Sequence, residues 1–487
     1  MDPQGNLLSS LALFAWIPIA LWIGHRWGPA KAAALLFLVP VMLLPEGVSF
    51  KPPGIPEFNK GRVAIFWLFA VVLLFHRQRF RALRLNRWIT FAILLLLGGS
   101  VVTVLLNRDP ISGYAVHLPG HRPYDAVHLM IINTLDCVLP FTLAAAMFQS
   151  RNDLRVFLRI FVSAALLYSV LQLVELKLSP QLHRWIYGFH QHGFVQTLRG
   201  GGYRPMVFMH HGLALAMFTM TSVIAAAGHY KAGIRPFRVG SGWVLTYLWC
   251  ILFLSKSLAA FLYSLVAVAL VLFASPKWQL RVATALALIV LLYPDFRGAG
   301  IIPVDDIEEW ISAEYGADRA QSVMFRFVNE EQLLERANER SFFGWGSHCR
   351  SCIFAPMIGK KISVSDGDWI ITWGMFGRVG FVGKYLLLII PLIFAARRLK
   401  YVRRQSDRRM LGALALITAF SAFDLLPNGN FNYLVFVFSG VLMGCTEGIV
   451  RDQRRAAVKR RKAHAAMALQ AREGDLMAEP SPGLYPT

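Results

Sequence analysis

The residues most in need of a chemical explanation are cations placed beside apolar runs. Arg199 and Arg204 flank three consecutive glycines, Gly200-Gly201-Gly202, and lead into an apolar segment that carries adjacent His210 and His211. Lys256 sits in the break Leu254-Ser255-Lys256-Ser257-Leu258 between two apolar runs. Arg326 lies in a helical stretch of the longest polar segment, and Arg378 lies well inside the apolar run that begins at Trp369. A cation at membrane depth costs several kcal/mol unless it is paired or hydrated, so each one marks a candidate site. Guanidinium matches phosphate because its planar fork donates two hydrogen bonds to adjacent oxygens. The glycine triplet would let backbone N–H groups approach the same ligand closely. Each cation also has a plainer reading. Arg199 and Arg204 would then bind lipid headgroups, Arg326 would pair with Glu330 one helical turn on, and Arg378 would be neutralised by Asp136 or Asp424. His210 and His211, if helical, point about 100° apart, so only one of them can line a site.

Acids follow in Asp366-Gly367-Asp368, where the long polar segment meets the next apolar run. One reading makes one of them a helix N-cap. The other makes one of them, with Asp368 preferred, a general base for a sugar hydroxyl. Two carboxylates fall short of the oxygen ligands that a divalent cation requires, so no metal and no cofactor is expected. Of the five cysteines, Cys137, Cys250 and Cys445 lie in apolar runs, where a thiol behaves as a small hydrophobe. Cys349 and Cys352 are spaced either for a disulfide in an oxidising compartment or for two free thiols. Their order, His-Cys-x-x-Cys, is not that of haem attachment, and no second pair completes a zinc site.

Stepping outward, the elements that carry these groups are hydrophobic helices. The chain has 487 residues, 56% hydrophobic and 16% charged, with a mean hydropathy of +0.48. A soluble domain would carry about 25% charged residues. Thirteen apolar runs are expected as spans: 7–24, 30–46, 63–76, 90–106, 126–148, 156–174, 206–228, 241–255, 257–274, 280–294, 369–396, 410–426 and 431–449. No cleavable signal peptide is expected. The formal net charge of +22 is concentrated in alternate loops, around Arg77–Arg87, Lys231–Arg238, Arg397–Arg409 and Arg451–Lys462. The positive-inside rule makes those loops cytoplasmic and puts 47–62, 107–125, 175–205 and 295–368 on the outer side, together with the N-terminus. The charge is therefore topological, and a nucleic-acid partner is not expected. The fold class is all-α, a polytopic integral membrane protein of about 12–13 helices. It divides into N-terminal helices over 1–174, central helices with the Arg/Gly-rich loop over 175–294, a large outer loop over 295–368, C-terminal helices over 369–449, and a basic tail over 450–487 that ends in a disordered Pro-rich stretch. Within the large loop, "DDIEEWISAEYG" and "SVMFRFVNEEQLLERANERSFFGWG" read as helical, the second stopped by Gly344 and Gly346. No internal repeat argues for a repeat-built transporter.

Taken in order, "FMHHGLALA" after an arginine, the hairpin "LSKS", the loop "FRFVNEEQLLERANERSFFGWG" and "DGDWIITWGMFGRVGFVG" resemble the O-antigen ligase and Wzy-type polysaccharide polymerase superfamily over roughly 195–385. The resemblance implies a GT-C-like, metal-independent glycosyltransferase of the bacterial inner membrane with its active site facing the periplasm. Its donor would be a glycan on undecaprenyl diphosphate, with membrane lipids around it and a chain-length regulator as partner. Arg204, Lys256 and Arg326 would hold the diphosphate, joined by Arg199 and Arg378. Ligases of this superfamily carry a histidine where the large loop enters the following span. This chain has Asp366-Gly367-Asp368 there, which favours polymerisation of exopolysaccharide or O-antigen repeats over ligation to lipid A core. A lipid-linked oligosaccharide flippase is the alternative from another class, and the long outer loop argues against it.

Overall fold

The structure, a computed structural model, describes residues 5–113, 115–199, 201–235, 239–429 and 432–477. Gly200, Arg238 and the Pro-rich end of the tail lie outside the described residues. Helix accounts for 72% of the chain, and among the described residues strands are confined to three two-residue hairpins. Among the described residues, eight helices are long and apolar enough to cross a membrane, and Pro29–Leu43, Ser241–Leu254 and Leu258–Phe273 are apolar but shorter. The expected segments 63–76 and 410–426 fall in Lys60–Phe75 and Gln405–Phe423, helices whose first turns are charged. The coarse reading of an all-α, multi-pass membrane protein is met. The break at Ser255–Ser257 also falls where expected, with Lys256 in a left-handed conformation at φ 53°.

The loops gather at two ends. At one, Asn6 N–H donates to Tyr187 O (3.1 Å), Glu46 N–H to His183 Nε2 (3.1 Å), and Arg340 to Asn107 Oδ1 (2.7 Å). At the other, Arg79 pairs with Asp153 (3.1 Å), Arg155 with Asp407 (3.6 Å), and Arg409 donates to Lys231 O (2.7 Å). The second end holds the arginine-rich loops. The first holds every candidate site residue outside the helix interiors.

Small residues set a close helix contact. A Cβ on Gly440, Gly444 or Gly448 would lie 2.3 Å from Phe141 O, 2.4 Å from Ala145 O and 1.6 Å from Gln149 O, respectively. Three glycines at four-residue spacing thus let the helix Leu434–Met477 lie directly on the backbone of Leu139–Met147, as small-xxx-small faces do in membranes. Upstream of that contact, a π turn over Thr134–Val138 re-aims Asp136.

The helix Asp368–Arg398 is broken at Gly377 (φ 60°, ψ −165°). The broken turn is strapped by 341–346 from the large loop. Arg378 N–H donates to Ser341 O (2.8 Å), Val379 N–H to Phe342 O (3.0 Å), Trp345 N–H to Gly374 O (2.8 Å) and Gly346 N–H to Met375 O (2.8 Å). Asn107 Nδ2 holds the strap from behind by donating to Gly344 O (2.9 Å). The two motifs "FFGWG" and "WGMFGRVGF" therefore meet in space, backbone to backbone. A helix break within an apolar span requires other parts of the protein to satisfy the freed backbone groups, and here the strap does so. A Cβ on Gly377 would sit 2.5 Å from Phe342 C and Phe343 N. Gly377→Ala is therefore expected to destabilise the protein by at least about 1–3 kcal/mol from backbone strain, read as a lower melting temperature in detergent. An unchanged melting temperature would show that the break is not required.

The large-loop helices are Val304–Tyr315 and Ala317–Asn338. The second stops at Asn338, ahead of the expected stop at Gly344, because the chain must turn at 339–340 to reach the Gly377 break.

Candidate functional site

The apolar segment expected as a span from 206 becomes helical only at Gly212. Before it, 204–211 is not helical and turns at Val207 (φ 53°), where Met209 N–H donates to Met206 O (2.9 Å), and it is held by Glu175 of the helix Arg151–Leu178. Glu175 Oε2 accepts Met206 N–H (2.8 Å) and Val207 N–H (2.7 Å), and Tyr168 accepts Phe208 N–H (3.1 Å). His210 and His211 consequently are not neighbours on a helix, as the sequence suggested.

One end of this segment forms a cation corner. Arg204 is buried, with 7% exposure, and donates to Lys256 O (3.0 Å). Lys256 Nζ donates in turn to Arg199 O (2.9 Å). Gly212 leaves room for the Arg204 stem, since a Cβ there would meet Arg204 Cδ at 2.3 Å. Gly202 does the same for Lys256 Nζ, at 2.4 Å. A small hollow beside Arg199, Gly201 and Gly202 opens here. Arg204 Nε has no hydrogen-bond partner among the described residues. Burial, then the nearby Arg199, bring its guanidinium down to about 10.

The other end of the segment lines a cleft of about 300 Å³ with Glu46, Asn59, Lys60, Asp136 and His210 on its walls. Lys60 Nζ pairs with Glu46 (2.8 Å) and donates to Phe208 O (2.7 Å). Arg62 grips Asp136 through Nε (3.0 Å) and Nη2 (2.8 Å). His210 Nδ1 lies 3.9 Å from Glu46 Oε1. Burial pushes the Glu46 carboxyl up, but Lys60 and the two nearby histidines outweigh it and leave it below the ordinary range. Burial likewise keeps the His210 imidazole below its usual value against the pull of Glu46. Gly429, on the cleft wall, abuts the backbone of Asp366, whose carbonyl lies 2.8 Å from where a Cβ would be.

His211 caps the helix Gly212–Ala232, its Nδ1 accepting Leu213 N–H (3.0 Å). Burial first, then His192 and the arginines, bring it down to about 4. The folded state thus favours the neutral ring. Its contribution to stability is complete above pH 6.5, the unfolded value, and is lost as the pH falls toward 4. His211→Asn supplies a cap that does not titrate, so the melting temperature of this variant is expected to fall less than that of the wild type between pH 6.5 and 4. Parallel melting curves over that window would refute this assignment.

The remaining expected residues divide. Arg326 pairs with Asp366 (3.1 Å), both partly exposed, and not with Glu330. Glu330 instead is buried beneath Tyr293, whose hydroxyl donates to it (3.3 Å), and burial raises its carboxyl. Arg378 pairs with neither Asp136 nor Asp424. It is half exposed and pairs with Asp295 (2.6 Å), with the Trp373 ring 5.5 Å away. Neither acid caps the helix, since Gly367 occupies the N-cap position. Asp368, the expected acceptor base, faces inward. Its side chain is enclosed by Lys384 Nζ (2.8 Å to both oxygens), Tyr385 Oη (2.9 Å) and Thr372 Oγ1 (3.4 Å), and it is 5% exposed. Cys349 and Cys352 are bonded to each other.

Arg199, Arg204 and Lys256 therefore come together, Arg326 joins Asp366 near the cleft, and Arg378 stands with Asp295. Glu46, Lys60 and Arg62 were not anticipated. The signal was present: they lie in "PEGVSFKPPGIPEFNKGR", a segment the charge bias assigns to the outer side, where cations are expected to be as unusual as Arg204 is. The chain matches no family model, and no curated protein sequence matches it.

Proposed function

We propose that the chain is a membrane glycosyltransferase that polymerises undecaprenyl-diphosphate-linked oligosaccharide repeats, at the periplasmic face of a bacterial inner membrane and in a GT-C-like manner. The observation that carries this reading is Arg204, a buried guanidinium with a free Nε, set among Arg199 and Lys256 beside a cleft rich in titratable groups. Such a cation is placed for a ligand that brings its own negative charge. In the transfer, an acceptor hydroxyl attacks the anomeric carbon of the donor and the bond from that carbon to the diphosphate oxygen breaks. The diphosphate leaves with the bonding electrons, and the corner stabilises the charge it gains in the transition state. The hydroxyl proton passes to a base in the cleft. His210, neutral and backed by Glu46 at 3.9 Å, fits that role, because the imidazolium it becomes is stabilised by the carboxylate. Asp366, held by Arg326, is the second candidate.

The test is reconstitution of the protein into liposomes with synthetic undecaprenyl-diphosphate-linked repeats. A ladder of products, lost in His210→Gln or Asp366→Asn at normal protein level, supports the reading and selects the base. Translocation of a fluorescent lipid-linked glycan without any ladder would instead identify a flippase and overturn it.

A further inference from the structure

We propose that His121, Asp125 and His348 form a binding site for a divalent transition-metal ion, with zinc the ion their chemistry fits best. His121 Nδ1 lies 3.3 Å from Asp125 Oδ2, His348 Nε2 lies 3.9 Å from Asp125 Oδ1, and all three donor atoms fall within 4.8 Å of one another. Zinc bonds of about 2.0–2.1 Å in a tetrahedron separate ligand atoms by about 3.3 Å, so donors now at most 4.8 Å apart must draw in around one ion. Two imidazoles and one carboxylate are borderline-soft nitrogen and oxygen ligands, which suit zinc over magnesium or calcium. Three protein ligands leave a fourth position for water, and His348 is the partly exposed member that opens toward solvent.

Several independent features converge on this corner. His121 is enclosed, and its Nε2 faces Gly346, where a Cβ would lie 2.1 Å away, so Nδ1 is the one ring nitrogen able to take a ligand. Asp125 is oriented by Arg122 N–H, which donates to Oδ2 at 2.7 Å, the kind of second partner that fixes a metal-binding carboxylate. His348 and Cys349 are consecutive non-glycine residues at positive φ, 62° and 56°. This conformation is uncommon for side-chain-bearing residues, and it turns the His348 ring to within 5.3 Å of the His121 ring. The Cys349–Cys352 bond and buried Arg350, which donates to Pro119 O (2.9 Å), hold that turn in place. An ion here ties 346–352, the continuation of the strap at Gly377, to the start of the helix Pro123–Asn133. None of its ligands belongs to the cation corner or the cleft, so it leaves the metal-independent transfer proposed above unaltered.

The competing histidines are His192, His210 and His211, whose rings also cluster. The experiment uses the purified full-length protein, stripped with chelator and then titrated with zinc alone by calorimetry, with cobalt as a spectroscopic substitute. One ion per chain is expected, with tetrahedral cobalt bands and a rise in melting temperature. Loss of an outer partner alone weakens metal affinity about 10–100-fold, so His348→Gln is expected to weaken it by at least that factor and to abolish the rise. Asp125→Asn should do the same, and His192→Gln should change neither. Equal zinc binding by wild type and both site variants, or loss only in His192→Gln, would overturn the proposal. So would the absence of any zinc-dependent change in the wild type.

Discussion

Arg204→Ala is expected to reduce polymer formation about 100- to 1000-fold, the range seen when one preorganised donor to a developing oxyanion is removed. The protein should still accumulate in the membrane. The reason lies in the asymmetry of the corner. Arg204 is tied down through one arm by Lys256 O, its stem rests on Gly212, and its Nε is left over. A guanidinium fixed in this way needs no reorganisation when charge appears on the leaving diphosphate. Arg204→Lys should not restore activity, since an ammonium cannot hold the Lys256 carbonyl and offer a second directed donor at once. Lys256→Ala should be milder, because it removes a point charge and leaves the fork. If Arg204 served only to hold the loop, the variant would melt at a lower temperature and keep its activity per folded molecule. Wild-type polymer levels would end the case for a phosphate clamp.

Asp368→Ala should act quite differently, on the folded state itself. Lys384 directs its ammonium at both Asp368 oxygens inside the helix bundle, and removing the acid leaves a buried charge without its counter-charge. Breaking one partner of such a pair costs about 3–5 kcal/mol, enough to unfold much of the protein or clear it from the membrane. Joint replacement by apolar residues of similar volume, Asp368→Leu with Lys384→Met, should recover most of the loss, because it removes both desolvated charges together. Thermal melting in detergent reads the series. An Asp368→Ala variant of normal stability that has lost polymer formation would return this residue to the chemistry.

Much of this was legible in the sequence for identifiable reasons. Apolar runs, charge-biased loops and the Ser255–Ser257 break depend on composition over windows, and they survive folding intact. What failed depended on partners distant in the chain. "FMHHGLALA" reads as one helix, yet Glu175 reaches the backbone at 206 and 207 and delays the helix to Gly212. Arg378 reads as a partner for Asp136 or Asp424, but beside the break at Gly377 it pairs with Asp295. Asp366 and Asp368 are alike in the sequence and opposite in the structure. The helix start turns one toward Arg326 and the other inward to Lys384. Lys60 and Arg62 were overlooked because the first spans look generic, although the scarcity of cations expected on the outer side applied to them equally.

The strap across the broken helix joins 341–346 to 374–379 almost entirely through main-chain atoms. Such a join places its demand on a few positions that must lack a side chain, Gly344 and Gly377 above all, and little on the letters between them. Phe342, for instance, contributes its carbonyl while the residue is 64% exposed. A lineage built around this contact would be free to change most of its residues while keeping the interval between two glycines. The trace of kinship in such chains would then be a rhythm of small residues, which a residue-by-residue comparison is poorly suited to detect.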